Sequence, residues 1–153
     1  MTAPEAESIR VRAASRGRAE WRTQGPVVAV VAIGGAVGAT ARYALTLAWP
    51  TPAGCFPWAT FWTNVIGCAV IGVFMVLITD VWAAHRLVRP FFGTGVLGGF
   101  TTFSTYAVDI RKLVESGRPG LWPAYLAGTL CAALAAVWLG AVAARRVLIR
   151  RQR

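Results

Sequence analysis

Acidic and catalytic side chains are scarce in this chain. Only 6 of its 153 residues are Asp or Glu, and it has a single histidine, His85. No nucleophile–base pair or metal-binding cluster is visible, so the sequence gives little support to an enzyme. The three cysteines are scattered, and their number and spacing fit neither a disulfide framework nor a zinc site. We interpret them as small packing residues.

Hydrophobic residues are abundant instead. They make up 56% of the chain, above the roughly 45–50% apolar share of soluble domains. The mean hydropathy is +0.55. A membrane-spanning helix needs about 20 apolar residues, and four stretches meet that length. The sequence therefore predicts an all-α integral membrane protein with one domain, residues 26–144, and four transmembrane helices over about 26–48, 58–79, 91–114 and 122–144.

Basic residues flank this domain. Residues 1–25 form a basic tail that we predict to be mobile, and residues 145–153 form a second basic tail. With four spans, both tails and the loop near residue 85 share one side, which then holds 12 of the 16 basic residues. The positive-inside rule predicts that both termini are cytoplasmic. The tails lack aromatics in a folded frame, so a nucleic-acid role has little support.

The middle of the third predicted span is poor helix. It reads GVLGGFTTFSTYAVD from Gly95 to Asp109. The two glycines, Gly98 and Gly99, each disfavour helix by about 1 kcal/mol relative to alanine, and the hydroxyls can bond nearby backbone groups. In lipid, a broken backbone persists only where protein or a water-filled cavity satisfies it. The stretch predicts a broken helix that serves either close helix packing or contact between an ion and the freed oxygen atoms.

Three further features lie within or beside the spans. Thr60 and Asn64 are four residues apart and share one helix face, and a buried amide such as Asn64 requires partners. Asn64 is either an interhelical hydrogen-bonding residue or a pore-lining donor. Arg42, near the end of the first span, either reaches the headgroups or provides a cation in a vestibule. Gly34 and Gly38 form a small-xxx-small face for close helix approach.

Taken together, GGAVGATARY in the first span, the Thr60–Asn64 face ending in Gly67, and GGFTTFSTY in the third resemble the bacterial fluoride channel family, called Fluc or CrcB. The resemblance covers all four predicted spans in order. It implies an antiparallel, dual-topology-type dimer with two narrow pores that export fluoride passively from the cytoplasm and so protect against fluoride toxicity. It also implies a structural Na⁺ at the dimer centre, held by the backbone carbonyls of Gly98 and Thr101.

The resemblance further implies which residues meet the ion. Arg42 corresponds to a vestibule cation. The residues that it assigns to the fluoride path are Asn64, Phe103, Tyr106, Thr60, Thr105, Ser104, Tyr125 and Thr129. The chain departs from the family pattern at three positions. Tyr106 stands where Phe is usual, Asp109 where Glu is common, and Ala133 where a hydroxyl is expected.

Alternative assemblies and functions remain open at this point. A homodimer of antiparallel subunits requires one sequence to insert both ways, whereas a 12-to-4 split of basic residues favours one orientation. The charge split predicts a heterodimer with a homologous, oppositely biased subunit. A small proton-coupled multidrug-type transporter is the nearest rival, and it needs a membrane-embedded carboxylate, for which Asp109 is the sole candidate well inside a span. A non-conducting partner subunit is the third possibility.

Overall fold

The computed structural model describes residues 3–80 and 86–151, and the regular structure within those ranges is helical throughout. His85 lies outside the described residues. In chain order the elements are α1 (Ala3–Ala48), α2 (Trp58–Asp80), a π-helix (Pro90–Leu97), α3 (Gly98–Phe100), α4 (Phe103–Glu115) and α5 (Leu121–Arg151).

Within the described ranges, three helical segments are long and apolar enough to cross a membrane: Gln24–Ala48, Trp58–Thr79 and Leu121–Arg150. They match the first, second and fourth predicted spans. The prediction of an all-α, multi-pass membrane protein is therefore confirmed. The third predicted span is present as two helical pieces, residues 90–100 and α4, which an interruption separates.

The helix α1 is continuous from Ala3 and so includes most of residues 1–25, while the mobility of this tail stays a prediction. The segment is rich in Ala, Glu and Arg, which are strong helix formers. With 46 residues, α1 is about 69 Å long at 1.5 Å per residue. That is about twice the thickness of the hydrocarbon core. The helix α5 likewise continues to Arg151, through most of the second predicted tail.

The interruption in the third span consists of two extended residues. Thr101 has φ −72° and ψ 153°, and Thr102 has φ −149° and ψ 124°. The piece before them is a π-helix up to Leu97 followed by α3, and a new helix, α4, begins after them at Phe103. The predicted break near the middle of this span is therefore confirmed.

The break lets the two pieces of the third span pack on different neighbours. Residues 90–100 lie against α1, whereas α4 packs mainly on α5, and α2 packs along α5. Glycines make the first contact possible, as the Gly34–Gly38 face predicted. A Cβ atom at Gly38 would overlap the carbonyl oxygen of Val96, and one at Gly99 would overlap that of Gly35. The close approach of α1 holds the first piece in place up to the break.

Candidate functional site

The side chain of Asn64 forms hydrogen bonds with the backbone at the break. Its Nδ2 donates to the carbonyl oxygen of Thr102 (3.1 Å), and the Thr102 N–H donates to its Oδ1 (2.8 Å). One side chain on α2 thus satisfies both polar groups of an extended residue, as a broken helix in lipid requires. The interhelical hydrogen bond that we considered for Asn64 is therefore present. Because an amide nitrogen carries two hydrogens, one donor of Asn64 remains for another partner.

Hydroxyl groups around the break are used to cap the helices. The Thr102 Oγ1 accepts from the backbone N–H of Thr105 (3.1 Å), so Thr102 is the N-cap of α4. The same hydroxyl donates to Thr105 Oγ1 (3.1 Å) and lies 3.2 Å from Ser104 Oγ. On the other side, Thr101 Oγ1 donates to the Leu97 carbonyl (2.9 Å). Ser104 and Thr105 therefore belong to the cap of α4.

Arg42 also bonds the broken segment. Its Nε donates to the Gly99 carbonyl (3.3 Å) and its Nη1 to Thr105 Oγ1 (3.4 Å). The guanidinium is half-buried and links residues on both sides of the break. It therefore does not extend away from the protein as a snorkelling side chain would. Its place beside the break was not evident from its position near the end of the first span.

A groove of about 240 Å³ lies beside the break, between α2, α4 and α5. Four of the eight residues predicted on the path line it, namely Asn64, Phe103, Tyr106 and Thr129, whereas Thr60, Ser104, Thr105 and Tyr125 do not. None of the lining side chains is charged. The complete lining is Asn64, Cys68, Thr101, Thr102, Phe103, Tyr106, Thr129, Leu130 and Ala133.

Cys68 and Ala133 also line the groove. Cys68 was interpreted only as a packing residue, although its spacing of four from Asn64 puts it on the same helix face and could have identified it. Ala133 lies in the groove at the position where the resemblance predicts a hydroxyl. Its side chain has no hydrogen-bond donor.

Two aromatic rings border the groove. The rings of Phe103 and Tyr106 have centroids 5.8 Å apart and planes inclined by 52°. Phe103 is 80% exposed in the single chain. The hydroxyl of Tyr106 donates to the Leu126 carbonyl on α5 (2.7 Å). The extra hydroxyl at this departure from the family pattern is thus bound to the adjacent helix.

A row of polar side chains continues from the groove. Thr60 Oγ1 donates to Asp109 Oδ2 (2.7 Å), and the fully buried Tyr125 lies beside this pair. The Tyr125 hydroxyl lies near the side chains of Thr60 and Asp109 without a hydrogen bond of good geometry to either, and the Thr129 hydroxyl has no partner among the described residues. A buried polar group without a partner costs about 1–3 kcal/mol. The Thr129 hydroxyl, which lines the groove, can therefore bond a molecule or ion that enters it.

The break also frees backbone carbonyls. In a continuous helix the Gly98 carbonyl would accept from the Thr102 N–H, which here bonds Asn64 instead. Gly98 is exposed, and a Cβ built there would have only the Gly93 carbonyl within 4 Å, at 3.9 Å. Within the described ranges there is no group of His, Cys, Asp and Glu able to hold a metal. A hard cation at the break would therefore depend on carbonyl oxygens, which are suitable ligands for such ions.

Residues 29–141 match the family described as CrcB-like protein, Camphor Resistance (CrcB). The chain belongs to the CrcB family. The matched range contains every residue of the groove and both sides of the break. The family recognised from the three sequence motifs is thereby confirmed.

Relatives in this family carry a more specific name. The chain is 70% identical to "Fluoride-specific ion channel FluC 2" of Streptomyces avermitilis, with 100% of both chains covered. It is also 70% identical to "Fluoride-specific ion channel FluC 1" of Streptomyces coelicolor, over 93% of this chain and 92% of that one. A second S. avermitilis protein, "Fluoride-specific ion channel FluC 3", is 45% identical over 83% of this chain and 62% of its own length.

Proposed function

We propose that this CrcB-family chain is a subunit of a fluoride-selective channel that lets fluoride leave the cytoplasm passively and so protects the cell. The observation that carries the proposal is the uncharged groove beside the break, where the buried Thr129 hydroxyl lacks a partner. Fluoride is small and strongly hydrated, so removal of its water is costly without replacement donors. The spare Nδ2 hydrogen of Asn64 and the Thr129 hydroxyl supply them.

Aromatic edges complete this path. The edge of a ring carries partial positive charge, so Phe103 and Tyr106 provide weak attraction for an anion. A path without a full cation in the groove suits conduction, because an ion has to leave as readily as it binds. The four lining residues predicted from the sequence form the core of the path, and Thr60 and Tyr125 continue it. In this arrangement Arg42, Ser104 and Thr105 support the break beside it.

The path is completed by a second subunit. We infer that the two pieces of the third span together form a fourth crossing, and that two such crossings meet in an antiparallel dimer. Phe103 is 80% exposed and Gly98 is open in the single chain, which supports a partner at this surface. In this proposal each chain offers the carbonyls of Gly98 and Thr101 to a structural Na⁺. A second chain would provide further oxygen ligands, and the cation would offset the cost of the freed carbonyls.

The partner is proposed to be a homologous, oppositely oriented subunit. The bias of 12 to 4 in basic residues favours one orientation of this chain in the plasma membrane. S. avermitilis has at least two proteins named as fluoride-specific channels. This observation supports the existence of paired homologues among relatives of this chain.

Growth of a bacterium that lacks its own fluoride channel tests the proposal. We expect this chain, co-expressed with a homologous subunit of opposite charge bias, to restore growth in fluoride. Expression of this chain alone is expected to fail. Growth with this chain alone would overturn the heterodimer, whereas failure of every pairing would overturn the fluoride channel.

The half-buried carboxylate of Asp109 permits a direct test of the transporter alternative. A proton-coupled transporter requires this carboxylate to bind and release protons, so Asp109→Asn would abolish its activity. A passive channel requires no proton transfer at Asp109, which accepts a hydrogen bond from Thr60, and asparagine can also accept that bond. We therefore expect Asp109→Asn to retain passive fluoride efflux in liposomes that contain the subunit combination that conducts. Loss of efflux, together with a proton-driven component in the parent, would favour the transporter.

A further inference from the structure

A second, smaller cavity lies where the loop between α1 and α2 meets α4. Its volume is about 70 Å³, which exceeds the roughly 30 Å³ that one water molecule occupies in the liquid. The two charged residues among its lining are Asp109 and Lys112. The loop contributes the rest of one wall, and the full lining is Thr51, Pro52, Ala53, Gly54, Cys55, Pro57, Asp109, Lys112 and Leu113.

Rows of polar residues connect this cavity to the groove. On α4, Tyr106 lines the groove, and Asp109, three residues on, lines the smaller cavity. Residues three apart are neighbours on a helix surface. On α2, Thr60 lies one turn before the groove residue Asn64 and donates to Asp109. Because Asp109 takes part in both the row and the cavity, the row reaches from one opening to the other.

Tyr125 on α5 lies between the two openings. Tyr125 is one turn before the groove residue Thr129, is fully buried and lies beside Thr60 and Asp109. Its hydroxyl lies near the Thr60 and Asp109 side chains but has no hydrogen bond of good geometry to either. A hydroxyl in that state can donate to an anion or a water molecule that passes between the groove and the cavity.

Lys112 is the cation at this opening. It is the one lysine of the chain, it is exposed, and its ammonium has no partner among the residues that the structure describes. The neighbouring Arg111 is held by Glu115 (2.8 Å). An anion at the cavity would meet the Asp109 carboxylate, whose repulsion an adjacent cation offsets.

We infer that the small cavity is a mouth of the ion path, and that Lys112 is a residue that gathers anions there. The inference rests on the proposed function, because it extends the same path. This mouth lies on the side opposite the termini, so exported fluoride passes Asn64 and Thr129, then Tyr125 and Asp109, and leaves between the loop and α4, while fluoride on that side can enter there. Lys112 raises the local anion concentration without a fixed charge inside the groove, and such attraction depends on ionic strength.

Single-channel fluoride conductance in planar bilayers tests this assignment in the subunit combination that conducts. The attraction between two opposite unit charges about 7 Å apart in water raises the local concentration of the mobile ion about threefold. We therefore expect Lys112→Gln to lower conductance about threefold at about 0.01 M ionic strength, set with an impermeant salt. At about 1 M, where the screening length is about 3 Å, the difference should disappear.

Two control variants separate charge from structure. Lys112→Arg keeps the charge and should conduct like the parent at both ionic strengths. The double variant Arg111→Gln/Glu115→Gln removes the adjacent ion pair with no change in net charge, and it should also match the parent.

The outcomes distinguish the inference from the proposed function. If the parent conducts fluoride and Lys112→Gln matches it at low ionic strength, the mouth is wrongly assigned while the channel stands. An equal loss at both ionic strengths would show a structural role for Lys112 and would also overturn the assignment. If the parent conducts no fluoride in any pairing, the proposed function itself fails.

Discussion

Replacement of Asn64 by alanine is expected to lower fluoride efflux at least tenfold and to destabilise the fold. The variant removes both hydrogen bonds to Thr102. Each backbone group left without a partner costs about 1–3 kcal/mol, and a factor of ten corresponds to about 1.4 kcal/mol. The variant also removes a donor from the groove. Efflux from liposomes and the melting temperature in detergent measure the two effects.

The matched control for this variant is Cys68→Ala. Cys68 lies one turn further along α2 and lines the same groove, but no hydrogen bond from it holds Thr102. We expect this control to conduct and melt nearly like the parent. If Asn64→Ala conducts as well as Cys68→Ala, the amide is needed neither for the break nor for the path, and the account of the site fails.

We expect almost all copies of the chain to insert into the membrane in one orientation. The loop that contains Cys55 lies between the first two spans, so it is opposite the termini, and Cys55 is exposed. In a variant with Cys68→Ala and Cys131→Ala, a membrane-impermeant maleimide should label at least about nine in ten Cys55 thiols from outside intact cells. The reason is the excess of basic residues on the side of the termini.

A cysteine in the C-terminal tail provides the complementary measurement. Gln152→Cys, in a chain whose other cysteines are replaced by alanine, should react only after the cells are permeabilised. Comparable labelling of both positions from outside would mean that the chain inserts in both directions. Such a result would remove the charge argument for a heterodimer and favour a homodimer.

Local chemistry explains which parts of the fold could be predicted. The break was predictable because Gly98, Gly99 and the adjacent hydroxyl residues all disfavour a continuous helix. The close approach of α1 was predictable from the spacing of Gly34 and Gly38. Both signals lie within a single stretch of sequence.

The partners across the structure could not be predicted in the same way. The Thr102 backbone groups that Asn64 binds are 38 residues away, and the Gly99 carbonyl that Arg42 binds is 57 residues away. Such pairs depend on how the helices pack against each other. The spacing of residues within one helix does not reveal that packing. The sequence analysis also did not predict that α1 begins as early as Ala3, although Ala, Glu and Arg in that segment favour a helix.

The central claim is that the groove beside the break carries fluoride passively. A fluoride electrode, with liposomes that contain this chain alone or together with a homologous subunit, tests that claim most directly. The account predicts fast fluoride efflux without a proton gradient, chloride retained in the same vesicles, and strong reduction in Phe103→Ile. Equal release of chloride, or fluoride efflux that Phe103→Ile leaves unchanged, would contradict it.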